Sequence, residues 1–246
     1  MMAYDALAGA YDALTWDIPY ETILDFWEAV LRQADKQPET VLDLACGTGS
    51  LSVLMAQKGY RVLGADISEE MLTAAYDKAA ELEEPPFFVC QSMQELTLPN
   101  PVDWIVCCLD GINYLTDPAD CRQAFARCYE SLNPGGMLTF DINSAYKLKN
   151  LDGQIWLDEN DDNYCVWRTE FDEAENICYY GVDLFTREGD VWLREFEEHR
   201  QYAYSAEELV QMLQEAGFTG IRLYADLTMD APKEDSQRIF ISCVKE

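Results

Sequence analysis

The sequence predicts an α/β fold, in which a doubly wound parallel sheet carries an inserted antiparallel β subdomain. Short apolar β-type runs alternate with helical patterns up to about residue 145. Runs of alternating polar and apolar residues follow, and then a helical pattern and two final β-type runs. Strand and helix alternation is typical of a parallel sheet covered on both faces. Period-two alternation is typical of antiparallel strands, so the middle segment is predicted to be an insertion.

We divide the chain accordingly. Residues 1–35 are expected to form an N-terminal helical cap, because apolar residues recur at helical spacing over residues 17–33. Residues 36–145 and 205–246 are expected to form the main α/β domain, and residues 146–204 the antiparallel β insertion.

The elements follow from local patterns. Five β-type runs build the parallel part of the sheet: TVLDLAC (40–46), RVLGAD (61–66), PFFVC (86–90), VDWIVCCL (102–109) and GMLTFDI (136–142). Helical patterns occupy residues 68–82 and 118–132. The insertion holds YCVWRTEF (164–171), ICYYGVDLF (177–185) and VWLREFEEHRQY (191–202). A last helix starts at Ser205, which forms a capping-box pattern with Glu208, and stops at Gly217. Runs 220–226 and 237–244 return to the main sheet.

Composition narrows the possible functions. The chain has 46 acidic and 17 basic residues and a net charge of −29, which disfavours nucleic acid and anionic membranes as partners. It shows no signal-peptide or membrane-span pattern, so we expect a cytoplasmic protein with reduced cysteines. No metal site is expected, since there is one histidine and the acidic segment DENDDN (158–163) lacks the glycine and glutamate positions of a calcium loop.

The most informative segment is VLDLACGTGSLS, residues 41–52, which combines an apolar strand, a turn of small residues and a helix start. Such a turn lets a ligand lie against the backbone at the carboxyl edge of the sheet, although a tight turn alone would also use glycine. The next strand ends at Asp66, whose carboxylate is placed to accept hydrogen bonds from a ribose diol.

The turn resembles the DxGxGxG motif of class I S-adenosylmethionine-dependent methyltransferases, here Asp43, Ala45, Gly47 and Gly49. Further matching segments are FVCQSMQEL (88–96), DWIVCCLDGINYL (103–115), LNPGGMLTFDINSAYKL (132–148) and HRQYAYSAEELVQMLQEAGF (199–218). The resemblance implies a Rossmann-like sheet that binds S-adenosylmethionine. Alanine replaces the first glycine, a mild change if the backbone there has a negative φ.

The resemblance also implies roles for single residues. The turn would lie beside the methionine moiety, Asp66 would hold the ribose, and Ile67 and Met71 would flank the adenine. Ser92 stands where the family often has an aspartate that bonds the adenine amino group. The expected cofactor-binding residues are Tyr11, Asp43, Ala45, Gly47, Gly49, Asp66, Ile67, Met71, Ser92, Met93 and Leu109.

Candidates for positioning or proton transfer follow the fourth and fifth strands, namely Asp110, Asn113, Tyr114, Asp141 and Asn143. Asp110, Asn113 and His199 are our catalytic candidates. Each also fits a structural role: Asp110 as a turn residue before a glycine, Asn113 as a cap of the next segment, and His199 as a solvated or ion-paired strand residue. Tyr4, Tyr11 and Tyr20 could close over the cofactor or simply pack against the main domain.

The expected function is methyl transfer from S-adenosylmethionine to a small-molecule acceptor by in-line displacement, with the insertion roofing the acceptor site. Its acidic excess would favour neutral or cationic acceptors. Three alternatives stay open. These are a noncatalytic protein that binds the adenosyl cofactor, a nicotinamide-dependent oxidoreductase, which should have a third glycine where Ser52 stands, and a protein methyltransferase. The sequence does not indicate an oligomeric state.

Overall fold

A computed structural model describes residues 9–246, so the predicted role of Tyr4 lies outside the described residues. The helices are α1 (Tyr11–Leu14), α2 (Tyr20–Gln33), α3 (Ser50–Gln57), α4 (Glu69–Ala79), α5 (Pro118–Ser131), α6 (Ala145–Asn150) and α7 (Ala206–Ala216), with 3-10 turns at Met93–Glu95 and Gly111–Tyr114. The strands are β1 (Thr40–Leu44), β2 (Arg61–Asp66), β3 (Phe87–Cys90), β4 (Val102–Cys107), β5 (Leu132–Asn143), β6 (Ile155–Glu159), β7 (Asn163–Asp172), β8 (Ile177–Glu188), β9 (Val191–Tyr202), β10 (Thr219–Ala225) and β11 (Arg238–Val244).

The larger sheet has seven strands in the order β10-β11-β5-β4-β1-β2-β3. Strands β3, β2, β1, β4 and β5 are parallel, whereas β11 and β10 add antiparallel pairs at one edge. The strand order reverses between β1 and β4, and an open α/β sheet binds its ligands at the carboxyl ends of the strands around such a reversal. The predicted doubly wound sheet is confirmed.

Helices cover both faces of this sheet, because its central strands are apolar on both sides. On one face, Phe125 of α5 and Leu213 of α7 belong to the buried cluster that contains Leu42 of β1. On the other face, Trp27 of α2 and Met55 of α3 pack in the cluster that contains the neighbouring β1 residue, Val41. The capping box of α7 is present, with Ser205 and Glu208 bonded reciprocally.

The insertion is a separate antiparallel sheet in the order β6-β7-β8-β9. The antiparallel arrangement is confirmed, but β6 and the short helix α6 were not predicted, since each is too short to show a clear period. The inner face of this sheet packs against Ala10 and against Leu148 of α6. The acidic excess is not wholly exposed, because Asp183 and Glu197 are buried.

Two smaller expectations concern cysteines and the start of α2. All nine cysteines are free and seven of them are buried, as expected of small apolar side chains. Helix α2 begins at Tyr20 rather than residue 17, directly after Pro19. None of the helices between residues 9 and 246 combines the length and apolar character needed to cross a membrane.

Candidate active site

A cavity of about 340 Å³ lies at the carboxyl ends of β1, β2 and β4, where the strand order reverses. This volume is within the range of small-molecule sites, which starts near 300 Å³. Ten of the eleven predicted cofactor-binding residues line it: Tyr11, Asp43, Ala45, Gly47, Asp66, Ile67, Met71, Ser92, Met93 and Leu109. The other lining residues are Tyr20, Cys46, Thr48, Leu51, Gln91, Gln94, Cys108, Gly111, Tyr114 and Leu115.

Gly49, the eleventh residue, is not on the cavity lining and has a packing role. A Cβ at this position would lie 2.8 Å from the Cβ of Ala75, closer than real contacts allow, and 3.1 Å from the Phe88 ring. Its φ of +71° is also in the left-handed region. Glycine at this position therefore lets the turn after β1 approach α4 and β3.

Ala45 has a φ of +58°. The condition under which we expected alanine to be a mild replacement is not met, because a left-handed conformation costs an alanine about 1–2 kcal/mol. A strained residue at the start of the turn is compatible with function, since such strain concentrates at ligand sites.

Asp66 holds the turn in place as well as facing the cavity. Its Oδ2 accepts the Gly47 N–H at 2.8 Å, and its Oδ1 accepts the Ser68 N–H at 2.9 Å. Burial raises the pKa of this carboxyl above its ordinary value, although the backbone hydrogen bonds oppose the shift. Each carboxylate oxygen can accept more than one hydrogen bond, so both can still receive a ligand hydroxyl.

Asp43 is buried at the end of β1 and accepts the Ser52 hydroxyl at 2.5 Å. Burial raises its pKa to about 7, against the effect of the Ser52 hydrogen bond. Asp43 and Asp66 together make the turn an acidic wall of the cavity. Burial also raises the pKa of Tyr11 well above its ordinary value and that of Tyr20 to about 12, so both phenols are neutral near pH 7.

Asp110 and Asn113 do not line the cavity. Asp110 pairs with Arg238 at 2.7 Å and accepts the Gln201 amide at 2.5 Å. Asn113 is fully buried: its Nδ2 donates to the carbonyls of Asn143 and Tyr202, and its Oδ1 accepts the Asn143 N–H. The Asp110 contacts join the turn after β4 to β11 and β9, and the Asn113 contacts join the end of β5 to β9.

His199 is buried in the inner face of β9, with 2% of its surface exposed, so a solvated position is excluded. Its Nε2 lies 3.2 Å from Glu197 Oε2, and its Nδ1 lies 3.3 Å from the hydroxyl of Tyr114. Tyr114 lines the cavity, so it connects the ligand space to the histidine. Tyr114 and His199 were each candidates from the sequence. Their contact could not be predicted, because no local pattern relates residues that are 85 positions apart.

A charged cluster lies behind the cavity wall. Asp141 is 1% exposed, pairs with Arg238, and accepts the N–H groups of Leu109 and Asp110 at 2.8 and 3.2 Å. Those two residues have φ values of +60° and +59°. Asp141 therefore holds the strained turn formed by Leu109 and Asp110. Leu109 and Gly111, the residue after Asp110, line the cavity.

Comparison with known proteins identifies the family. A family model for the methyltransferase domain matches residues 41–136. A Geobacillus sp. (strain WCH70) protein, whose name carries a provisional methyltransferase assignment, is 34% identical over 99% of this chain and 100% of its own length. An S-adenosylmethionine-dependent methyltransferase from Clostridium acetobutylicum ATCC 824 is 28% identical, with a TM-score of 0.88 over 99% of both chains.

The same architecture occurs in more distant enzymes. The sugar N-methyltransferase KedS8 from Streptoalloteichus sp. ATCC 53650 has a TM-score of 0.77 over 99% of this chain and 93% of its own, at 19% identity, which shows a shared fold. The motif, the cavity at the strand reversal and the full-length relatives agree, and the chain belongs to the class I S-adenosylmethionine-dependent methyltransferases.

Proposed function

We propose that the cavity binds S-adenosylmethionine and that the enzyme transfers the methyl group to the nitrogen of a small amine. The observation that carries this proposal is the chemistry of the cavity wall. Two carboxylates and three tyrosines line it, and among residues 9–246 no lysine or arginine does. Such a wall favours ligands with a net positive charge, such as a sulfonium cofactor and a protonated amine, and disfavours an anionic acceptor.

The residues at the turn fit the proposed cofactor. Asp66 has lone pairs left for the two ribose hydroxyls after accepting two backbone N–H groups. A Cβ built on Gly47 would meet nothing within 4 Å, so the backbone here borders open space where a ligand can approach closely. Ile67, Met71 and Met93 supply apolar walls for an adenine ring. Ser92 faces the same space, so its hydroxyl can replace the usual aspartate at the adenine edge.

We place the acceptor beside Tyr11, Tyr20 and Tyr114, the three tyrosines that line the cavity. The face of an aromatic ring has a negative electrostatic potential and attracts an ammonium group by about 0.5–2 kcal/mol for each contact. The formal charge of −29 raises the local concentration of cations around the molecule. The fold shared with a sugar N-methyltransferase is consistent with this choice of acceptor.

The chemistry requires mainly positioning. The cofactor supplies a methyl group on a positively charged sulfur, which is already a good leaving group. The protein must hold the acceptor nitrogen in line with that methyl, exclude water and remove the proton of an ammonium acceptor. We propose that the insertion, residues 146–204, roofs the acceptor end, since its inner face packs beside Ala10 and its strand β9 reaches Tyr114.

Thermal unfolding with S-adenosylmethionine, S-adenosylhomocysteine, NADH and NADPH tests the cofactor. A ligand present at 100 times its Kd stabilises the protein by about 2.7 kcal/mol, and we expect stabilisation by the two adenosyl compounds alone. Release of S-adenosylhomocysteine is then measured with benzylamine, aniline, catechol and thiophenol as acceptors. Methylation of an amine supports the proposal. Methylation of only catechol or thiophenol would overturn the acceptor class.

Lys78 is expected to matter for cofactor affinity although it does not line the cavity. Its Nζ lies 2.7 Å from Asp12 Oδ2, 3.0 Å from Thr48 Oγ1 and 2.6 Å from Ser50 Oγ, so it joins α1 to the turn after β1. Because α1 carries Tyr11, we expect Lys78→Met to weaken S-adenosylhomocysteine binding about tenfold in calorimetry, the loss of roughly one charged hydrogen bond.

The matched control is Lys58→Met. Lys58 pairs with Asp25 and Glu28 on the outside of α2 and has a comparable exposed fraction. The control should leave affinity unchanged. Equal losses of S-adenosylhomocysteine affinity in both variants would show that the Lys78 contacts with Asp12, Thr48 and Ser50 do not support cofactor binding.

Asp43 should make cofactor binding depend on pH. With a pKa near 7, its carboxyl is mostly protonated at pH 5.5 and mostly ionised at pH 7.5. The ionised form attracts a cationic ligand, so affinity for S-adenosylmethionine should rise about tenfold across this range, a factor that corresponds to one pKa unit. Asp43→Asn should flatten this dependence in calorimetry. A slope that persists in the variant would assign the titration to another group.

The same shift predicts the effect of pH on the unliganded protein. The folded state binds the Asp43 proton more tightly than the unfolded chain does, so this group lowers stability as pH rises from about 4 to 7. The stability of Asp43→Asn should fall less over that interval when unfolding is measured in urea.

A further inference from the structure

We infer that Tyr114, His199 and Glu197 form a proton relay that deprotonates the acceptor ammonium. Tyr114 is the catalytic residue that meets the acceptor, and His199 and Glu197 are positioning residues that act through it. This inference rests on the proposed methyl transfer to an amine. It adds the group that removes the proton and the route that the proton takes.

The geometry places the three residues in a line from the cavity into the insertion. Tyr114 ends the 3-10 turn Gly111–Tyr114 and lines the cavity. Its hydroxyl is 3.3 Å from Nδ1 of His199, whose Nε2 is 3.2 Å from Glu197. His199 and Glu197 are two residues apart on β9, so both point to the inner face, whereas the intervening Glu198 points outward and pairs with Arg200.

Burial separates the roles of the three side chains. The side chains of His199 and Glu197 are 1% and 3% exposed, and neither lines the cavity, whereas Tyr114 is half-buried and does. Of the three, only the Tyr114 hydroxyl can therefore reach a ligand and the histidine at once. A proton leaving the acceptor can therefore pass through Tyr114 to His199.

The relay needs the His199 tautomer that carries its proton on Nε2, and the positions of Glu197 and Tyr114 fit that tautomer. With Glu197 as a carboxylate, which only accepts hydrogen bonds, the imidazole proton that faces it is the one on Nε2. Nδ1 then offers its lone pair to the Tyr114 O–H. When Nδ1 takes up a proton, the resulting imidazolium is stabilised by Glu197 inside the protein, the role that the carboxylate plays in Ser-His-Asp triads.

One proton leaves the acceptor nitrogen and one methyl group reaches it. The acceptor ammonium gives one proton to the Tyr114 oxygen while the Tyr114 proton moves to Nδ1 of His199. The freed nitrogen lone pair forms the new N–C bond as the methyl carbon–sulfur bond breaks, and the electron pair of that bond stays on sulfur. The proton on His199 later returns through Tyr114 to solvent. No oxidant, reductant or metal is required.

Nitrogen NMR tests the arrangement without any acceptor. His199 is the only histidine of the chain, so ¹⁵N-histidine labelling gives one pair of ring signals. At pH 8 we expect a proton on Nε2 and an unprotonated, hydrogen-bonded Nδ1. Tyr114→Phe should move the Nδ1 signal toward that of a free nitrogen, and Tyr179→Phe, on the exposed side of β8, should not. A proton on Nδ1, or an Nδ1 signal unaffected by Tyr114→Phe, would overturn the relay.

Kinetics test the role in catalysis. Benzylamine is protonated at pH 7.5, whereas aniline is neutral and needs no base before it attacks. Tyr114→Phe and His199→Gln should lower kcat for benzylamine about 10²- to 10⁴-fold, the usual range for general base catalysis, and change kcat for aniline much less. Glu197→Gln should lower kcat for benzylamine with little change in KM. Equal losses on both amines would show a structural role and overturn the inference.

The outcomes also separate this inference from the proposed function. If neither amine is methylated while S-adenosylhomocysteine still stabilises the protein, the amine proposal is wrong, and the NMR result alone decides whether the relay exists. If amines are methylated but Tyr114→Phe has wild-type kcat on benzylamine, the proposed function holds and the relay is overturned.

Discussion

Asp66→Ala should weaken S-adenosylhomocysteine binding at least about 100-fold in calorimetry. A carboxylate that accepts two ribose hydroxyls contributes about 1.5–3 kcal/mol for each hydrogen bond, and the cavity offers no second carboxylate at the end of β2. The sequence alone predicts that such a variant keeps its fold intact. The structure adds a cost in stability to the loss of affinity, because the Gly47 and Ser68 N–H groups would also lose their acceptor.

A second aspartate provides a control for that loss of stability. Asp103 accepts the backbone N–H groups of Glu39 and Thr40 at 3.1 and 3.0 Å, but it lies at the start of β4, at the opposite edge of the sheet from the cavity. Asp103→Ala should therefore destabilise the protein in urea while leaving ligand affinity unchanged. Wild-type affinity in a folded Asp66→Ala variant would remove Asp66 from the cofactor site.

Most residues that line the cavity at the turn after β1 and at the end of β2 could be predicted from the sequence, because their signals are local. The small-residue turn and Asp66 each follow a strand directly, and parallel strands bring their carboxyl ends to one edge. The conformation of single residues could not be predicted in this way. The positive φ of Ala45 and the packing role of Gly49 against Ala75 depend on neighbours that the local sequence does not reveal.

The surroundings of Tyr114 and Asp110 depend on contacts between distant parts of the chain. Tyr114 and His199 are 85 residues apart, and Asp110 and Arg238 are 128 apart. The sequence suggested Asp110 as a catalytic candidate from its position after a strand, a placement that is correct, but its partner comes from β11. A single sequence shows which side chains are able to transfer protons. The pairing of β5 with β11 determines which carboxylates have the charge of Arg238 beside them.

Arg238→Met should produce the largest loss of stability, about 3–5 kcal/mol in urea unfolding, because it leaves buried carboxylates without their cation. Arg238 pairs with Asp141 and Asp110, whose exposed side-chain fractions are 1% and 13%. Asp141 also holds the left-handed turn at Leu109 and Asp110. Repulsion between the two carboxylates would therefore disturb the cavity wall as well as the fold.

The loss should depend on pH with a definite sign. Burial already raises the pKa of Asp141, with Arg238 opposing the shift, so removing the arginine raises this pKa further. The folded variant then binds the proton more tightly than its unfolded chain, and stability increases as pH falls. We expect the difference from wild type to be smaller at pH 5 than at pH 8.

Two further variants determine whether buried charge is the cause. Arg222→Met removes the same charge from an exposed position on β10 and should change stability by less than about 0.5 kcal/mol. Adding Asp141→Asn to Arg238→Met should recover part of the lost stability, because the effects of two substitutions on the free energy of unfolding do not add when the two side chains are in contact. If the double variant is less stable than Arg238→Met by the full cost of Asp141→Asn alone, the two side chains are not coupled. In that case the ion pair between Arg238 and Asp141 does not hold the strained turn after β4.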